Sequence, residues 1–196
     1  MKYSEYKFLV KSDLYRYEGS ANLYLFIKYF LRGEGFKFSF WLRTTKYTKK
    51  NKVFKFTIYP IARLFLSHYT YKFGISIPAK TNIGSGFYIG HFGGIVINGN
   101  CTIGKNCNIS QGVTLGQANR GKNKGTPILG DNIYIGPGAK IVGSVNIGNN
   151  VAIGANSVVT KNIPDNAVVV GIPGKVISYD GVEGYVNATD YRDKIK

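Results

Sequence analysis

Cysteine, histidine, tryptophan, methionine and acidic side chains are all scarce in this 196-residue chain: two Cys, two His, one Trp, one Met, and 10 Asp and Glu against 26 Lys and Arg. Cys101 and Cys107 make no disulfide framework, and with only His68 and His91 beside them they fall short of a structural zinc set. No metal is expected. No apolar run reaches the roughly 18 residues of a membrane span, because Lys28, Lys55, Arg63 and Lys72 interrupt the N-terminal runs. No cleavable leader is expected either, and a reducing, cytoplasmic setting fits best. Proline is rare, and the 25 glycines follow no Gly-X-Y period, which excludes collagen. A hydrophobic content of 44% with 18% charged residues excludes wholesale disorder. The length suits one domain with a sizeable core and a smaller appended piece.

The net charge of +16 is unevenly spread. Residues 1–73 carry 15 Lys and Arg against 4 Asp and Glu, and residues 74–196 carry 11 against 6. Such a surplus suits nucleic acid, an anionic membrane surface or a phosphorylated ligand.

From position 77 the aliphatic residues recur every six positions, a period of neither helix nor plain strand. Ile83, Ile89 and Ile95 form one run; Ile97, Ile103, Ile109 and Leu115 a second; Leu129, Ile135, Ile141, Ile147, Ile153 and Val159 a third. Ile, Leu and Val make up 46 of the 196 residues, so chance would fill only about a quarter of these positions. Gly follows the aliphatic at 84, 90, 104, 116, 130, 136, 148 and 154. Six residues make one short strand and one turn, and three copies close a triangular coil whose aliphatics stack inward. Corners such as Asp131-Asn132 and Asn149-Asn150 agree, since Asn and Asp tolerate tight turns. A parallel β-helix of four to five coils follows. Two irregularities interrupt it. The phase slips by two residues between Ile95 and Ile97, and 14 residues separate Leu115 from Leu129 where 12 would keep phase. A loop is therefore extruded at 117–127, polar and cationic (QANRGKNKGT over 117–126).

The segments FYIGHFGGIVIN (87–98), ISQGVTLG (109–116), IGPGAKIVGSVNIG (135–148) and IGANSVVTKNIPDNAVVVGIPGKVI (153–177) resemble the hexapeptide-repeat acyltransferases. Within them the likeness is to the branch of serine acetyltransferases and colanic-acid or capsule-type O-acetyltransferases. The resemblance covers just over half of the chain. It implies a mainly β fold, a left-handed parallel β-helix over 74–177, with a small, mostly helical N-terminal domain over 1–73 and a tail over 178–196. It also implies acetyl-CoA as co-substrate, held in a groove between the prisms of a homotrimer, with a dimer of trimers as the larger alternative. A γ-class carbonic anhydrase shares the prism but needs three zinc histidines, and the repeats hold only His91.

Acyl transfer from a thioester to a hydroxyl needs a base for the hydroxyl proton and donors for the developing oxyanion. His68 lies in TIYPIARLFLSHYTY (57–71), where apolar positions 58, 61, 62, 65 and 69 fit a helix started by Thr57 with Pro60 in its first turn. It reads as a packed or surface helix residue. His91 sits in GHFGG immediately before the phase slip, and slips re-aim side chains. It also falls on the family's catalytic histidine and is expected to be the general base. Serine acetyltransferases support that histidine with Asp in a Gly-x-Asp-Ile-His-Pro segment. Here the segment is Gly74-Ile75-Ser76-Ile77-Pro78-Ala79, so Ser76 is left as the orienting partner. The family's acidic residue before the histidine is Gly90, and its Arg-His pair in the loop is Gly125-Thr126. A zwitterion clamp without charges holds serine poorly.

The primary expectation is therefore a saccharide hydroxyl acceptor in capsule or surface polysaccharide assembly, with serine O-acetylation as the alternative. Gly90, Phe92, Asn119, Arg120 and Thr126 would border the acceptor. For the donor, the resemblance implies amides at Gly116 and Gln117 near the thioester. Gly136, Gly154 and Ala155 would line the pantetheine path, and Lys161 and Lys175 would meet the CoA phosphates. No acyl-enzyme is expected, and Cys101 and Cys107 read as wall residues. Aromatics interleave with cations in NLYLFIKYFLR (22–32), FKFSFWLR (36–43) and KVFKFTIYP (53–60). They read as a helical unit packed on the prism, or as an interfacial surface touching anionic lipid. A nucleic-acid-binding module would share the charge, but no recognised nucleic-acid motif is present.

Overall fold

The computed structural model describes residues 1–195. Four helices come first: α1 (Tyr3–Glu18), α2 (Leu23–Arg32), α3 (Glu34–Lys50) and α4 (Ile58–Phe73). Asn22 starts α2 by accepting the Leu25 N–H at 2.9 Å, and α1 and α4 end in the left-handed residues Gly19 and Gly74. Helix α4 begins after Thr57, with Pro60 in its first turn, where the spacing predicts. Its buried face matches the apolar spacing only in part. Of those positions Ala62 is buried and Tyr69 packs on the core, while Ile58, Ile61 and Phe65 are exposed and Leu66 and Phe73 point inward. Apolar residues lie on more than one side of this helix, so the choice falls to packing, and Leu66 and Phe73 join Phe38 and Leu42 of α3.

The solenoid follows, with strands visiting three faces in rotation; in the last coil the second face holds only the single bridge of Ile163 to Ile147. The first face stacks β1 (Ile75–Ser76), β4 (Ile95–Ile97), β7 (Thr114–Gly116), β10 (Lys140–Val142) and β13 (Val158–Val159). The second stacks β2 (Asn82–Ile83), β5 (Thr102–Ile103), β8 (Ile128–Leu129) and β11 (Asn146–Ile147). The third stacks β3 (Tyr88–Ile89), β6 (Asn108–Ile109), β9 (Ile133–Ile135), β12 (Val151–Ile153) and β14 (Val168–Val170). All pair in parallel. All 13 repeat aliphatics named above are buried, each adding about 1.5–3 kcal/mol of apolar burial.

Register places the two irregularities. On the second face Ile83 pairs with Ile103, Ile103 with Leu129 and Leu129 with Ile147, at spacings of 20, 26 and 18 residues. The two-residue slip is an insertion at the corner between β3 and β4, where His91 lies. The loop is larger than the sequence spacing suggests. Leu115 and Leu129 stand on successive faces rather than two faces apart, so eight residues are extruded there and not two.

The corner between the second and third faces explains the Gly and Asn pattern. A Cβ at Gly84 would lie 2.6 Å from the Gly104 carbonyl oxygen, and one at Gly104 closer still to the Gly130 carbonyl oxygen in the next coil. Asn106, Asn132, Asn150 and Asn166 occupy the same corner with φ of 56 to 61°, where Asn is among the few residues tolerated.

Both ends of the aliphatic stack are closed. Phe38, Leu42, Leu66 and Phe73 join Ile75, Ile83, Ile89 and Ile95 in one cluster, so α3 and α4 cap the first coil. At the other end β15 (Lys175–Ser178) turns back antiparallel on β14 and terminates the parallel ladder. The segment beyond it returns to the first coils. There Tyr191 of the short helix α5 (Tyr191–Lys194) bonds Asn106 Oδ1 and Ser85 Oγ at 2.8 and 2.9 Å.

Candidate active site

His91 occupies the two-residue insertion between the third and first faces. Gly90 N–H stays in the ladder, donating to Ile109 O at 3.0 Å, and Gly93 O accepts from Gly112 N–H at 2.7 Å. Between these anchors the chain bulges, and the positive φ of Gly93 and Gly94 (103° and 65°) lets it do so. The imidazole is thereby left exposed, with no hydrogen-bond partner among the described residues. Phe92, 48% exposed, leans its ring on Phe73 at the end of α4, 5.5 Å between centroids.

Ser76 is not brought to the histidine. It lies on β1 in register with Val96 and lines a groove with Arg63, Ser67 and Thr70 of α4. No hydrogen bond joins it to His91 among the described residues, so its expected orienting role has no support from the geometry. Ser76→Ala is accordingly expected to leave kcat within about threefold of the parent, far from the 10²–10⁴-fold typical of losing an acid–base group; steady-state kinetics checks this.

The loop residues gather at a different corner, between the first and second faces. Ala118 and Gly125 exchange main-chain hydrogen bonds at 3.0 Å, closing 117–127 into a hairpin. Gln117 Nε2 donates to Asn119 Oδ1 (2.8 Å) and Thr126 Oγ1 to Asn100 O (3.1 Å), while Arg120 is exposed. Asn123 Nδ2 ties the tip to Thr160 O at 2.8 Å. Within one chain, therefore, Gly90, His91 and Phe92 are separated from Asn119, Arg120 and Thr126 by the width of a face.

Among the donor residues, Gly116 lies inside β7. The Gln117 main-chain amide has no acceptor among the described residues and is available to an oxyanion. The amides of Gly136 and Gly154 are committed to Ile153 O and Val169 O. A Cβ on Gly136 would meet Ala155 N at 2.9 Å. Ala155, Lys161 and Lys175 are exposed near the final coils, Lys175 on β15 opposite Val170. Cys101 and Cys107 are buried, and burial pushes their thiols up to about 11 and about 12. Neither is a nucleophile near neutral pH.

Lys140 was not singled out by the spacing. It stands at an outward position of the first face, where neighbouring coils hold Val96, Thr114 and Val158. Its ammonium donates to Gly112 O and, at 3.1 Å, to Thr114 Oγ1, bracing the glycine corner adjoining that of His91. The signal was a cation where the repeat otherwise places a small or β-branched residue.

Comparison with known proteins separates the readings left open. Residues 126–161 match the family described as "Bacterial transferase hexapeptide (six repeats)". The chain is 43% identical over 136 residues to a serine acetyltransferase of Staphylococcus aureus (strain Mu50 / ATCC 700699), covering 69% of this chain and 61% of that protein. It is 30% identical to the solved "Serine Acetyltransferase- Complex with Cysteine", with a TM-score of 0.69 over 86% of this chain and 68% of that one. The chain belongs to the hexapeptide-repeat acyltransferases, as a homologue of serine acetyltransferases. A further solved relative, a Brucella abortus strain S19 serine acetyltransferase in complex with coenzyme A, is 27% identical with a TM-score of 0.72 over 90% of this chain and 69% of that one. The chain spans about 61% of the length of the curated relatives it matches. The expected saccharide acceptor, with its capsule and polysaccharide setting, is overturned: the named relatives are serine acetyltransferases, one of them solved in complex with serine. The family's charged residues missing at Ser76, Gly90 and Gly125-Thr126 bear on how the histidine is supported and how an acceptor is gripped, not on lineage, and so do not identify the acceptor. No described helix is long and apolar enough to cross a membrane.

Proposed function

We propose that this chain transfers the acetyl group of acetyl-CoA to the hydroxyl of L-serine. The observation that carries the reading is His91, exposed at the one corner where the C-terminal side of the third face is lengthened, in a chain similar to serine acetyltransferases. His91 takes the serine hydroxyl proton as the oxygen attacks the thioester carbonyl. The Gln117 amide supports the oxyanion, and the proton returns from His91 to the departing CoA thiolate.

The separation of His91 from the 117–127 loop within one chain supports a homotrimer, in which the loop of a neighbouring copy would face His91 across the joint. Outward apolar residues on two faces, Val96 and Ile128 (48% and 51% exposed), suit such packing. Lys161 and Lys175 would take the CoA phosphates. With Gly90, Gly125 and Thr126 in place of charged residues, serine is held by fewer ionic contacts, so KM for serine is raised relative to enzymes that carry them.

The test is CoA thiol release from acetyl-CoA with and without L-serine. Release that depends on L-serine and yields O-acetylserine is the expected result. Absence of turnover over a wide range of serine concentrations would sink the assignment.

A further inference from the structure

A cleft of about 520 Å³ lies at the capped end of the solenoid, away from Lys161 and Lys175. It is bounded by Lys46, Lys49 and Lys50 of α3, Tyr59 of α4 and the Pro78-Ala79-Lys80 corner of the first coil. Four lysines thus line one space. None of them forms an ion pair among the described residues.

Their local contacts do not neutralise them. Lys46 Nζ donates to Thr81 O at 2.8 Å and Lys80 Nζ to Asn100 Oδ1 at 2.8 Å, both uncharged acceptors. Burial lowers the Lys46 pKa, and Arg43 and Lys50 push it the same way, with Glu5 opposing weakly. Lys49 and Lys50 stand in the last turn of α3, where cations answer the helix dipole. That accounts for two of the four and for neither Lys46 nor Lys80. Arg63 lies just across the Pro78-Ala79 ridge, in the groove shared with Ser76. Like charges held around a concave site repel one another, and a multiply charged anion removes that repulsion.

We propose that this cleft binds a small ligand carrying two or more linked phosphates, at a site distinct from the acetyl-CoA groove. Lysines bind phosphate as point charges with rotatable donors, which suits a chain of phosphates better than a single planar carboxylate. Tyr59 also lines the wall. The cleft also communicates with the loop: Lys80 holds the Asn100 side chain, and Asn100 O accepts from Thr126.

Isothermal titration calorimetry of the full chain with sodium tripolyphosphate tests this, with ATP as a second probe and acetyl-CoA as the control. Saturable binding of one equivalent per chain is expected, weakening as salt rises. The exposed pair Lys49→Gln/Lys50→Gln, and separately Lys80→Gln, should each weaken it by about tenfold while acetyl-CoA affinity and the unfolding temperature hold. Tighter binding of ATP than of tripolyphosphate identifies a nucleotide as the source, and the reverse identifies inorganic polyphosphate. No saturable binding of either probe, or equal binding by the variants, would overturn the proposal. So would a parallel loss of acetyl-CoA affinity, which would make the cleft part of the donor site. None of these readouts depends on serine turnover, so the two proposals fail separately.

Discussion

His91→Ala is expected to lower kcat by about 10²–10⁴ with little change in thermal stability. Chemically, the acceptor hydroxyl has no other base near it: His68 is exposed on α4 against Tyr69, and both thiols are buried and protonated. Structurally, the imidazole makes no hydrogen bond among the described residues and is exposed, so its removal leaves neither a cavity nor an orphaned partner. Activity within a few-fold of the parent, in a protein with an unchanged melting curve, would remove His91 from the mechanism. Measured beside it, Ser76→Ala separates a lone base from a supported one.

Asp13→Ala is expected to cost about 3–5 kcal/mol of folding stability. Asp13 and Arg43 are fully buried and joined at 2.9 Å and 3.1 Å through both carboxylate oxygens. Asp13 also accepts the Phe87 N–H at 2.9 Å, and Arg43 donates to the Ile83 and Gly84 carbonyls at 2.7 and 2.6 Å. The pair therefore pins α1 and α3 to the turn between β2 and β3. Burial pushes the Asp13 carboxyl up, opposed by the Arg43 guanidinium and the Phe87 N–H. Removing the carboxylate leaves a buried guanidinium without its counter-ion, which is where the cost arises. Urea denaturation measures it. A loss below about 1 kcal/mol would mean that water reaches Arg43 in the variant.

Much of the solenoid was legible because its signal is local and repeated. Each inward position must be aliphatic, and the corner between the second and third faces admits little but Gly and Asn, as Gly84 and Asn132 show. The histidine could be picked out for a related reason: it sits where that repetition breaks. The size of the loop was not legible, since spacing between Leu115 and Leu129 does not say on which faces the two residues stand. The buried side of α4 was equally hidden, because that helix is apolar on more than one side and only contact with Phe38 and Leu42 selects Leu66 and Phe73. Nor did the missing charges at Ser76 and Gly90 reveal the acceptor. They are single residues, whose meaning depends on what stands opposite them.

By itself, then, the sequence determined the parallel solenoid, its stacked aliphatic core and its Gly and Asn corners, which follow from a steric rule repeated every six residues, and the histidine at the point where that rule breaks. Tertiary structure alone decided that Ser76 faces α4 instead of His91, and that His91 and the 117–127 loop occupy different corners. It alone gathered Lys46, Lys49, Lys50 and Lys80 around one cleft. These are relations between residues far apart in the chain, set by how faces and helices pack, and no local period encodes them.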